Sequence, residues 1–241
     1  MKTLLIKEIR SFLSSLIATI VITVFLLAIG LFMWVFPDSN VLDYGYSTLD
    51  TLFYMAPWVF IFLISAITMK SFAEERKMGT METLATKPLS KYKIILAKYF
   101  AALILVLFSI LPTFVYFYSV YNLGSPQGNI DTGATWGSYI GLIFLGSCYV
   151  SIGLFSSSVT DNQIVAFILS MFLCFLCFSA FQQISKLGFL SQIDFLIEWL
   201  GINYHYQSIS RGVLDSRDIL YFISFTALFL GFTKRNISTA K

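Results

Sequence analysis

The chain has 241 residues, 57% of them hydrophobic and 12% charged, with a formal net charge of +3. Water-soluble domains carry about 25% charged residues and the mean hydropathy here is +0.79, so a soluble globular protein is excluded and an integral membrane protein is implied. No basic run interleaved with aromatics occurs, which leaves nucleic-acid binding without support.

The first residues, KTLLIKEIRSFLSS, place Leu5, Ile9, Phe12, Leu13 and Leu16 at helical spacing, with Lys2, Lys7 and Arg10 off that stripe. The pattern predicts an amphipathic helix over residues 1–11 lying along the inner membrane surface. A charged cap on a longer first span is the alternative. Phe12–Phe36 follows without a charge and with no small-residue cleavage site after it, so it reads as a retained signal-anchor span. A transmembrane helix needs about 20 mainly apolar residues. Five more runs fit that description to differing degrees: Thr51–Met69, Tyr99–Tyr121, Trp136–Ser156, Ile164–Gln182 and Ile219–Thr233. The last is short and could begin nearer Leu214. The expectation is an all-α integral membrane protein, one domain over residues 1–241 with six transmembrane helices and no internal repeat.

Basic residues set the predicted orientation. Of the 16 Lys and Arg, 13 fall at the N-terminus, between spans two and three, or after span six; Lys186, Arg211 and Arg217 are the exceptions. Lys and Arg favour the cytoplasmic side, so both termini are expected there. Residues 37–50 carry three Asp and no base, and residues 122–135 one Asp and no base. Trp34, Tyr44, Tyr46, Tyr121, Trp136 and Tyr139 cluster at these outer edges, as an aromatic belt does.

Residues 70–98 form a polar island with seven basic and three acidic residues. The second span is expected to continue as a helix through Glu74, Glu75, Arg76 and Lys77 until Gly79 breaks it. Thr80 is a candidate N-cap for a short helix in which Met81, Leu84 and Ala85 share a face, and Pro88 ends that helix at Lys87. Ser90 is a candidate cap for the next helix. Such a bounded tip helix suits a groove in a soluble partner; a solvated loop whose lysines set topology fits the residues equally well.

Gly137 and Gly141 in the fourth span form a GxxxG, continued by Gly146, Ser147, Ser151 and Gly153. Small residues let helix backbones approach closely in lipid, either within this chain or against another subunit. The spans hold no ionisable side chain, which argues against a proton-driven pump and a channel with a charged ring. No GxxxxGK[ST] phosphate loop occurs, so this chain is not expected to hydrolyse ATP or to carry catalytic residues. Cys174 and Cys177 make a CxxC without a second ligand pair, and the lone His205 reads as an interfacial hydrogen-bonder, so no metal site is expected. Arg211, Asp215, Arg217 and Asp218 are expected to pair with one another or with a partner at the outer surface.

Glu74-Glu75-Arg76, Gly79-Thr80, Met81-Glu82-Thr83-Leu84, Thr86, Pro88-Leu89-Ser90 and Lys98 resemble the signature of type-2 ABC exporter permeases. In that family the segment after the Gly-Thr is the coupling helix that seats in the ATPase. The resemblance implies coupling roles for Glu74, Glu75, Arg76, Gly79, Thr80, Met81, Glu82 and Leu84. His205 to Asp218 is similar to the family's outer, partly membrane-dipping segment before the sixth helix, which singles out His205, Arg211, Gly212, Asp215, Arg217 and Asp218 within residues 186–218. Residues 157–167 resemble the cytoplasmic turn between helices four and five. The overall likeness is greatest to the gliding-motility permeases of the family. It implies a bacterial cytoplasmic (inner) membrane location, a cytoplasmic ABC ATPase partner that holds ATP and Mg, and a second membrane permease subunit. A hetero-oligomer is favoured there, with a homodimer as the alternative. No cofactor is expected on this chain itself. Two rivals stay open: a membrane-embedded enzyme, for which converging polar residues within the spans are lacking, and a scaffold that transmits force or signal from the ATPase without moving cargo.

Overall fold

The computed structural model describes residues 2–37, 39–43, 45–80, 90–186 and 194–239. Among the described residues every regular element is helical. Helix α1 (Lys2–Leu13) ends at a break, where Ser15 takes an extended backbone (φ −80°, ψ 125°), and α2 (Leu16–Trp34) starts anew. The first span therefore begins at Leu16, not Phe12, and Phe12 belongs to the buried face of α1. Leu16, Ile20, Val24, Leu27 and Leu31 lie exposed along α2, a surface suited to acyl chains, since apolar side chains gain nothing by hiding from lipid.

Helix α3 (Asp50–Thr68) holds a buried Pro57 in its interior. Proline removes one helical hydrogen bond there, which membrane helices tolerate where neighbouring groups compensate. A turn at Met69 leads to α4 (Lys70–Lys77), which continues the same rod. Helix α5 (Lys91–Ile110) begins eight residues before the expected Tyr99, and Ser90 holds the N-cap backbone position without a side-chain cap bond. Pro112 lies in a 3-10 turn (Leu111–Thr113) that splits this span from α6 (Phe114–Leu123).

The centre of the molecule is α7 (Thr132–Val159), whose N-terminus is capped by Asp131, its Oδ1 accepting from the Ala134 amide at 2.9 Å. It packs against α3, α5, α8 (Gln163–Phe175), α11 (Ile202–Ser210) and α12 (Ser216–Thr239). Asn162 caps α8 by accepting from the Ile164 amide. The fifth span then widens into a π turn (Leu176–Ala180) that holds Cys177, and ends in α9 (Phe181–Lys186). Helix α10 (Asp194–Trp199) precedes α11.

Glycine decides how closely α7 can be approached. A Cβ on Gly146 would fall 2.9 Å from Val106 of α5, and one on Gly153 would collide with the Thr68 hydroxyl of α3. Hydroxyl pairs add directional links, with Ser65 and Ser170 at 2.8 Å joining α3 to α8. Such bonds contribute about 0.6 kcal/mol each between membrane helices.

Among the described residues five stretches are long and apolar enough to cross a membrane: Leu16–Trp34, Asp50–Lys77, Lys91–Leu123, Thr132–Val159 and Gln163–Lys186. The run expected as a sixth span lies in the 24-residue helix α12, which begins at Ser216. It is not among the five, because Arg217, Asp218, Lys234 and Arg235 leave it a short apolar centre.

Candidate functional site

At one end of the bundle α3 is prolonged by α4, and a single side chain fixes the joint. Ser157, on the last turn of α7, accepts from the amides of Phe72 (3.0 Å) and Ala73 (3.1 Å) and donates to the Met69 carbonyl (2.9 Å). The first amides of a helix have no partner within it, so Ser157 supplies one from a neighbouring helix. The adjacent Ser158 receives the Asn236 amide of α12 on its carbonyl at 2.6 Å, which ties a third helix to the same place. Phe72 and Ala73 are buried, Glu74 and Arg76 half-buried, and Lys77 to Thr80 exposed. The stalk therefore turns its last residues outward.

Gly79 ends it with φ of 67°, and a Cβ there would touch nothing, so left-handed backbone rather than crowding requires glycine at this position. Thr80, expected to cap forward, donates its hydroxyl back to the Glu75 carbonyl at 3.3 Å. Met81, Glu82 and Leu84, with the rest of residues 81–89, lie outside the described residues.

Glu75 does not face outward with its neighbours. Its Oε1 accepts from the Lys98 ammonium at 2.7 Å, and the same ammonium reaches Glu8 Oε1 of α1 at 3.2 Å and lies 5.3 Å from the Phe72 ring centre. Lys98 is 2% exposed. In the sequence it is both a lysine of the basic segment and the last residue of the family-like signature; the structure makes it the internal counter-ion of two carboxylates. Glu75 Oε2, Arg76 Nη2 and Ser71 Oγ are buried nearby without hydrogen-bond partners. Of the expected coupling residues that are described, Gly79 and Thr80 are exposed, Glu74 and Arg76 are half-buried, and Glu75 is turned into the bundle. Lys98 closes the motif that resembles the family signature but carried no expected role, and Glu8 was not singled out at all. The available signal was Glu8 itself, four residues before Phe12 and on the same face.

At the opposite end the structure sorts the outer cluster differently from the sequence. His205 and Asp218 are buried and paired, Nδ1 to Oδ1 at 2.6 Å, and His205 Nε2 lies 2.8 Å from the Trp199 carbonyl. A carbonyl only accepts, so Nε2 carries a proton. A further proton lies between Nδ1 and Oδ1, on whichever of the two holds it. Tyr221 stacks on the imidazole with centroids 3.8 Å apart. Asp215 instead accepts from the Arg217 amide at 2.9 Å and caps the start of α12.

Arg211 and Arg217 are exposed, and no ion pair among the described residues joins them to Asp215 or Asp218. The expected mutual pairing of these four is corrected accordingly. The histidine, thirteen residues earlier, takes Asp218 because α11 folds back against α12.

Tyr206, one residue after His205, donates to the Phe53 carbonyl at 2.7 Å. Burial raises its phenol above the ordinary range, so it stays a donor. Gly137 and Gly212 meet backbone to backbone. A Cβ on Gly137 would sit 2.8 Å from Gly212 Cα and 2.8 Å from the Ile209 carbonyl oxygen, and Gly212 itself has φ of 85°. Gly141 lies over Ile209 and Tyr206. Both glycines of the GxxxG thus face α11 and the turn after it, within this chain.

The family model described as ABC-2 family transporter protein matches residues 42–232. The chain belongs to this family. The match takes in the stalk, the Lys98 pairing on α4 and α5, and the His205–Asp218 segment. The ABC-2 chain is accordingly the membrane-spanning permease component of an ABC transporter, in a family whose members work with an ABC ATPase and are generally non-catalytic themselves. No individual curated protein matches it.

Proposed function

We propose that this permease crosses a bacterial cytoplasmic membrane six times, with both termini in the cytoplasm. A cytoplasmic ABC ATPase, which binds the ATP and Mg, grips it at the segment that follows Gly79. The observation that carries the proposal is the stalk. A helix continuous with a span leaves the bundle, is locked by Ser157, and turns its last residues outward at a left-handed glycine. Lys2, Lys7 and Arg10 of α1, Lys70, Arg76 and Lys77 of α4, and Lys91 and Lys93 of α5 lie on the elements of this end, which supports its cytoplasmic placement. Helix α12 is the sixth span, with Arg217 and Asp218 at one boundary and Lys234 and Arg235 at the other.

The finer reading extends the resemblance. A second membrane permease subunit completes the transporter as a hetero-oligomer, cargo is exported, and the system serves gliding motility. The test is native purification through a C-terminal tag in mild detergent. Wild type should bring down an ATPase and a second membrane subunit, and Glu82→Lys should lose the ATPase while inserting normally. Wild type arriving without any ATPase would refute the coupling assignment, and retention of the ATPase by Glu82→Lys would move the docking site elsewhere.

A further inference from the structure

Helix α1 packs along α5, yet toward α4 it leaves a cleft of about 480 Å³. Leu4, Lys7 and Ser11 line one wall, and Lys70, Glu74 and Met78 the other. One side chain crosses the gap. Lys98, rooted in α5, offers its ammonium to Glu8 of α1 and Glu75 of α4, with Phe72 of α4 beneath it. Two carboxylates share one cation, and the second oxygen of Glu75 is left without a partner. Membrane attachment alone does not explain this arrangement. A surface helix needs only its apolar stripe, and Glu8 interrupts that stripe. Buried ion pairs seldom add net stability over apolar side chains of similar size, and their better-attested use is to fix one arrangement among alternatives.

We propose that Lys98 is a positioning residue that links the stalk to the N-terminal helix. A displacement imposed on α4 from beyond Gly79 is thereby delivered to α1 as well as to the spans. The inference rests on the proposed ATPase coupling of the stalk. Because α1 and α4 face each other across an open cleft, their relative position is set at this ammonium. Glu75 is the stalk's end of the link, Glu8 the surface helix's end, and the Phe72 ring limits where the ammonium can sit.

The test is hydrogen–deuterium exchange on the purified permease–ATPase complex in lipid nanodiscs, with and without ATP and vanadate. Peptides covering residues 2–13 and 70–77 are followed. In wild type both regions should change exchange on nucleotide trapping. Glu8→Gln keeps the Lys98–Glu75 pair, so the change at 70–77 should persist while the change at 2–13 is lost. Lys98→Met should lose the change at 2–13 as well, and Lys98→Arg, which can still reach both carboxylates, should restore it. A structural role alone would raise exchange in both nucleotide states equally and leave the nucleotide-dependent difference intact. An unaltered difference at 2–13 in Glu8→Gln, or no difference there in wild type, overturns the proposal. Failure of any ATPase to co-purify with wild type overturns the coupling reading beneath it, and is seen before exchange is measured.

Discussion

Ser157→Ala isolates the joint between span and stalk. The substitution removes one oxygen and adds nothing, so no clash confuses the result. It leaves the amides of Phe72 and Ala73 and the Met69 carbonyl without the bonds that Ser157 makes at 3.0, 3.1 and 2.9 Å. A buried donor stripped of its partner costs about 1–3 kcal/mol. Two amides then give ~2–4 kcal/mol after partial relaxation. For a chain of this size that corresponds to a fall in Tm of about 4–16 °C. The assay is thermal unfolding of the purified protein in one detergent, followed by size-exclusion recovery, with limited proteolysis of the 69–80 segment as a local readout. Ser157→Thr keeps the hydroxyl and should recover most of the loss. A melting temperature within about 1 °C of wild type, with unchanged proteolysis, would refute the claim that this hydroxyl fixes the stalk.

Asp218→Ala should cost about 3–5 kcal/mol, because it strands His205 in a buried site, whereas Asp215→Ala should cost about 1 kcal/mol as an exposed cap; unfolding of the two variants side by side checks the ranking. Gly137→Ala places a methyl against backbone atoms of Ile209 and Gly212 that have no room to yield, and should lower stability by about 1–3 kcal/mol. Gly231→Ala meets nothing within 4 Å and should instead stabilise α12 by about 0.5–1 kcal/mol, so equal effects from the two glycine variants would contradict the packing described.

The helical layout was legible because apolar run length is a direct consequence of bilayer thickness. Where it misled, backbone chemistry outweighed hydropathy. Phe12 to Ser15 contains nothing charged, so composition could not show that α1 ends there, although the Ser14-Ser15 pair offered a local signal. In the same way the start of α5 was set late, because Lys91 and Lys93 depress hydropathy without impeding a helix. The last apolar run was short in sequence, whereas the helix that holds it, α12, is long, since helices extend through charged flanks that hydropathy excludes.

Site residues were less legible than spans, for a reason visible in Glu75 and Asp218. Each lies in a charged stretch, and spacing alone makes every member equivalent: Glu74 with Glu75, Asp215 with Asp218. Burial separates them, and burial depends on residues far away in the chain. Lys98 lies 90 positions from Glu8, and the ring that meets Asp218 lies on a different helix. Topology counting survives this blindness. Lys98 is neutralised inside the protein and contributes little to the membrane-facing charge, yet Lys2, Lys7, Arg10, Lys70, Lys77, Lys91 and Lys93 remain at the same end. The positive-inside signal rests on many residues and tolerates the loss of one; a latch made of a single ammonium does not. The same lysine is therefore a minor voter on orientation and, in the proposed mechanism, the member of its segment whose replacement should change how motion spreads.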